Sequence, residues 1–268
     1  MFGGLRITPT VKILLIINVA VFGAQALLNL PVREFMSLYY FQSPYFLPFQ
    51  AITHIFVHAD FSHLLHNMLP LLFLAPLIEQ YISPKRFLQL YLFCGLGASA
   101  MYAGVQHIEM QNMQMEAVEV IQNPSPEGAD NFIIKHASYL YQSTEIDRFM
   151  HQQYPANPQN KSYQDEVKTL VKDRAQFITN KSTLMGASGA VFGILMAFVL
   201  LFPNMELMLL FIPFPIKSKY LIGAYGLYEV YSLVQNRADD NVAHLAHLGG
   251  MLFAFILIKL VWKMKRIH

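Results

Sequence analysis

Ser188 stands between glycines in the stretch LMGASGAVFG, residues 184–193, near the start of a run that is otherwise apolar. A serine hydroxyl is a weak nucleophile until a positioned base removes its proton. Histidine is the usual base, since its unperturbed pKa lies near neutrality. Two other segments open apolar runs with polar residues: THIFVHADFSHLLHN, residues 53–67, and NVAHLAHLGG, residues 241–250. Ser188 and His247 can form a nucleophile–base pair, without a carboxylate third member in an obvious place. His63 and Asn67, at i and i+4, project from one helix face as side-chain donors to an oxyanion. Gly186, Gly189 and Gly193 let neighbouring helices approach closely and expose the Ser188 backbone N–H as a further donor.

These residues need a frame, and composition says what kind. Of 268 residues, 54% are hydrophobic and 13% charged, against about a quarter charged in soluble domains. The chain reads as a membrane protein. A formal net charge of +2 gives no case for nucleic acid, and the single cysteine, Cys94, allows neither a disulfide framework nor a zinc-type cysteine spacing. No cleavable signal or transit peptide is expected. Six apolar runs, 11–30, 63–82, 87–104, 184–202, 219–235 and 243–262, are candidate spans of roughly 20 residues each. Between the fourth and fifth, residues 205–220 are broken by Pro213 and Pro215 and read as an interfacial connection.

Basic residues near span ends set orientation. Arg6, Lys12, Lys85, Arg86, Lys217, Lys219, Lys259, Lys263, Lys265 and Arg266 fall on one side of a six-span arrangement, with Arg33 and Arg237 opposite. Both termini are therefore expected in the cytoplasm, and the setting is expected to be a prokaryotic plasma (inner) membrane. Spans two, four and six then run inward from the outer face. His63, Ser188 and His247 share a depth of a few to about 10 Å below the outer surface, at 1.5 Å per residue.

Residues 105–181 hold ten of the seventeen acidic residues. They are expected to form a polar extracytoplasmic insertion between two membrane portions, 1–104 and 182–268. Apolar spacing predicts amphipathic helices around Val105–Val118, Phe132–Tyr141 and Val167–Ile178, with turns at NPSPEG (123–128) and YPANPQN (154–160).

Six spans with GASG in the fourth, HLLHN in the second and AHLGG in the sixth resemble the rhomboid intramembrane serine proteases. The family pattern is Gly-x-Ser-Gly, His-x-x-x-Asn and His-x-x-Gly, found here at Gly186–Gly189, His63 to Asn67 and His247 to Gly250. The resemblance implies an all-α, six-helix bundle with Ser188 as nucleophile and His247 as its base. It implies that His63, Asn67 and the Ser188 N–H hold the oxyanion, and that no metal or cofactor is needed. The implied substrates are transmembrane proteins within the bilayer. Where members often carry a tyrosine four residues after the serine, stacked on the histidine, this chain has Phe192, which can still stack. The loop between spans three and four is usually short; here it runs to about 77 residues.

Other readings stay open. His244, one turn before His247, is the alternative base. His54, His58, His63, His66, His244 and His247 could together ligate haem or a divalent metal. A non-catalytic rhomboid relative that only binds membrane helices is a third reading. Glu79 reads as an anchor beside Lys85 and Arg86, and Glu229 as a hydrogen-bonding or packing group rather than a catalytic one.

Overall fold

A computed structural model describes residues 6–208, 214–235 and 244–265. Pro213, Arg237, Arg266 and the lead-in 241–243 to the sixth expected span lie outside the described residues. The chain divides into two compact units, one within 1–38, 47–103 and 183–268, the other of 39–46 and 104–182.

In the first unit, α1 (Pro9–Leu28) starts with Pro9, whose fixed φ suits the first helical turn. A helix start leaves backbone N–H groups unpaired. Those of Thr10 and Val11 donate to the Glu79 carboxylate at 3.1 and 3.0 Å, and the Thr8 hydroxyl donates to it at 2.5 Å. Glu79 is therefore a buried cap for α1, not an anchor beside Lys85 and Arg86; only 1% of it is exposed.

Helices α2 (Phe61–Phe73) and α3 (Ala75–Ile82) form one apolar stretch bent by 42°. The bend fits Pro76, which has no N–H for the carbonyl four residues back and crowds the preceding turn. Asp60, three residues before His63, caps α2 by accepting from the His63 N–H at 2.8 Å. Next, α4 (Pro84–Gln122) is 39 residues long and does not stop near 104. The remaining long helices among the described residues of this unit are α7 (Ser188–Leu201), α8 (Ser218–Gln235) and α9 (His244–Phe255), the last continued by a π-helical stretch, Ile256–Val261. A two-residue antiparallel ribbon, Glu206–Leu207 with Ile216–Lys217, precedes α8.

Length and apolarity qualify α1, α4 and α9 with its π-helical stretch as spans, and the bent α2–α3 pair as a fourth, among the described residues. The 14 residues of α7 extend only about 21 Å, short of a hydrocarbon core of roughly 30 Å. The chain is an all-α, multi-pass membrane protein. Leu71, Ile78, Phe87, Leu90, Ile194 and Phe198 fill its core, and small residues bring helices together. A methyl group added to Gly193 would lie 2.4 Å from the Cys94 Cβ on α4. One added to Gly250 would lie 1.9 Å from the Gly189 carbonyl oxygen, so α7 and α9 meet backbone to backbone.

The second unit has its own core. Helices α5 (Pro126–Ala137) and α6 (Lys161–Lys181) pack with the part of α4 beyond Gly104 through Met113, Ala117, Phe132, Ile133, Val167 and Val171. The turn sequences act as caps: Ser125 Oγ accepts from the Gly128 N–H at 3.1 Å, and the Asn160 side chain from the Ser162 N–H at 2.9 Å. Tyr40 from the 39–46 segment is buried in this core and hydrogen-bonds His107 Nδ1 at 2.8 Å.

Two substitutions test these constraints. Glu79→Ala leaves a buried and a half-buried N–H group and a buried hydroxyl without their acceptor and should cost about 1–3 kcal/mol. Gly250→Ala must force α7 and α9 apart. Both should lower the thermal midpoint in detergent relative to wild type, whereas an unchanged midpoint would contradict the packing described.

Candidate active site

The first loop, the start of α2, the start of α7 and the start of α9 converge within the first unit. His54 is buried; its Nδ1 donates to the Gln50 carbonyl at 2.9 Å, and its own carbonyl accepts from the Gly186 N–H at 2.9 Å. That second bond ties the Gly-Ala-Ser turn to the first loop. Gly186 has φ +116°, a backbone conformation open to glycine. Any side chain there would also collide with His63, because a methyl would lie 2.7 Å from His63 Nε2.

His63 is set by its cap. The Ala59 N–H donates to His63 Nδ1 at 3.3 Å, so Nδ1 accepts and Nε2 carries the proton. The Nε2–H thus lies against the glycine turn that precedes Ser188. Asn67, one turn further, is buried and donates from Nδ2 to the His63 carbonyl at 3.1 Å, with a second N–H on the same nitrogen.

Ser188 is the first residue of α7 and is half-buried. The first intrahelical bond runs from the Val191 N–H to the Ala187 carbonyl at 2.9 Å. The N–H groups of Ser188, Gly189 and Ala190 precede it, and a helix start leaves such groups to partners outside the helix. Gly189 faces the Ala246 carbonyl, 3.6 Å from where a methyl would sit, so the residue after Ser188 meets the residue before His247 across the α7–α9 contact. Phe192 stacks on the His247 ring at 4.1 Å between centroids and 6° between planes, as the sequence led us to expect. Among the described residues no hydrogen bond joins Ser188 Oγ to His247.

The histidines do not gather into one ligand set. His66 is exposed and bonds back to the Ser62 carbonyl at 2.7 Å. His58 is buried with its ring edge-on to His63 at 5.1 Å. His244 and His247 instead share a residue that sequence reading set aside. His247 Nδ1 lies 2.9 Å, and His244 Nδ1 2.6 Å, from the same oxygen, Oε2 of Glu229 on α8. Glu229 is 1% exposed. A glutamate inside an apolar, tyrosine-rich run was the available signal, because such a group is costly in lipid unless partnered.

A family model, the Rhomboid domain, matches residues 48–111 and 168–264, more than half of the chain and all three motif-bearing segments. No curated protein matches the chain. The geometry makes its own prediction. Gly186→Ala should displace His63 and shift its ring resonances in a histidine-labelled NMR spectrum, with a lowered thermal midpoint. Unmoved His63 resonances would mean that the turn does not hold that ring.

Proposed function

The chain belongs to the rhomboid family, and on that premise we propose that it is a serine endopeptidase cutting peptide bonds in or near the transmembrane segments of other membrane proteins. The observation that carries this reading is the convergence of the Ser188 helix start, the His63 Nε2–H and the His247 ring at one packed contact.

The chemistry runs through an acyl-enzyme. Ser188 Oγ attacks the scissile carbonyl carbon while His247 Nε2 takes its proton. Negative charge gathers on the former carbonyl oxygen, where the Ser188 N–H, His63 Nε2–H and Asn67 Nδ2–H serve as donors. Each such donor is worth a few kcal/mol in a site with little water. The tetrahedral species collapses, the C–N bond breaks, and His247 returns the proton to the leaving amine. Water, deprotonated by His247, then hydrolyses the ester and restores Ser188. No step calls for a metal or cofactor. We place both termini in the cytoplasm, with the site opening to the outer face, from the distribution of basic residues.

Cleavage of transmembrane reporter polypeptides in liposomes tests the reading. Ser188→Ala and His247→Ala should each abolish cleavage while leaving the thermal midpoint near that of wild type. Asn67→Ala should lose only part of the rate, roughly 10-fold to 10²-fold, because two donors remain. Cleavage at the wild-type bond by folded Ser188→Ala protein would overturn the assignment.

A further inference from the structure

We infer that Glu229 is a positioning residue for His247, so that the site works as a Ser188–His247–Glu229 triad with His244 holding the carboxylate in place. The inference deepens the reading of Ser188 and His247 as nucleophile and base, and rests on it.

Glu229 Oε2 stands 2.9 Å from His247 Nδ1 and 2.6 Å from His244 Nδ1. An ionised carboxylate only accepts, so each Nδ1 carries its proton. Neutral His247 is therefore the tautomer whose lone pair is on Nε2, the atom required to take the Ser188 proton. Rotation of the ring about its Cβ–Cγ bond is opposed on one side by the Nδ1 bond and on its face by the stacked Phe192 ring. When the Ser188 proton moves to Nε2, the ring becomes an imidazolium. Its charge then lies beside a buried anion that already accepts from Nδ1–H, and it disappears when Nε2 passes the proton to the leaving amine.

His244 gives the carboxylate a second fixed donor, on the same helix as His247 and one turn earlier. Two donors from one helix hold a side chain that reaches across from α8. Among the described residues, the groups on or beside the His247 ring are Glu229 from α8, Phe192 from α7 with Tyr225 against it, His63 from α2, and His244 from its own helix. Only Glu229 among them is a carboxylate. The oxygen and the two Nδ1 atoms also fall within 4.8 Å of one another, close enough to be ligands of one metal ion. The separations of 2.6 and 2.9 Å are those of hydrogen bonds.

The test uses the full chain in detergent and a fluorophosphonate probe, with the labelling rate of Ser188 followed across pH. Glu229→Gln should label about 10²-fold more slowly than wild type, and the acid limb of its pH profile should move to lower pH. Glu229→Asp should recover much of the rate. Wild-type protein should show a downfield imidazole N–H proton resonance, a measurement that needs no variant to fold, and folded Glu229→Gln should lack it. Glu229→Gln labelling at the wild-type rate with the wild-type profile would overturn the proposal, as would absence of that resonance in wild type. Stoichiometric bound zinc with chelator-sensitive labelling would also overturn it in favour of a metal site. In each of those cases Ser188→Ala would still abolish labelling. Labelling of Ser188→Ala at the wild-type rate would instead overturn the underlying nucleophile assignment.

Discussion

The contact on which the site depends is between two backbones. Gly189 and Gly250 lie so close that a methyl on the latter would meet the former's carbonyl oxygen at 1.9 Å. Ser188 precedes the first of these glycines by one residue, and His247 precedes the second by three. Closing α7 onto α9 therefore brings the serine and the histidine to one level, with Phe192 laid flat on the imidazole. In a bilayer, water release does not drive helices together, so close packing of small residues has a larger share of that work. Gly193 against Cys94 and Gly97 against Phe253 extend the same principle to α4.

Burying polar groups in such a bundle is costly unless each finds a partner. The bundle meets this requirement in pairs. Glu79 takes the loose N–H groups of α1, Asp60 takes that of His63, and the Ala59 N–H takes His63 Nδ1. Glu229 takes both His244 and His247. In the two histidine cases the structural bond also decides the state of the other ring nitrogen, the one assigned to the proposed reaction. Nδ1 of His63 accepts and leaves Nε2 as a donor; Nδ1 of His247 donates and leaves Nε2 as a base. The same side-chain type thus supplies an acid-like and a base-like group a short distance apart, distinguished by what holds the far nitrogen.

Much of the bundle, and the local placement of the candidate site residues, was legible in the sequence because it depends on local spacing. Ser188 between glycines, His63 and Asn67 at i and i+4, and Phe192 one turn after Ser188 each follow from helical periodicity. What remained hidden depended on partners distant in the chain. Glu229 was visible as an ionisable residue in an apolar run, yet His244 and His247 at i and i+3 show their common acceptor only once α8 faces α9. Glu79 looked like a surface anchor because its neighbours Lys85 and Arg86 are basic; the deciding partner was the helix start at Thr10 and Val11, some 70 positions away. The third span was read as ending near 104, where continuous apolarity ends. The helix continues because the sequence only becomes amphipathic there, and no capping or proline signal appears before Asn123 and Pro124. The fourth span was read from apolar composition, but its helix begins only at Ser188 and is 14 residues long.

The central claim is that Ser188 is a nucleophile activated by His247. Mass-spectrometric mapping of the fluorophosphonate adduct on folded, detergent-purified protein tests it most directly. The account predicts one modified residue, Ser188, and loss of the adduct in His247→Ala protein that retains its thermal midpoint. An adduct on another residue, or undiminished modification of Ser188 without His247, would contradict it.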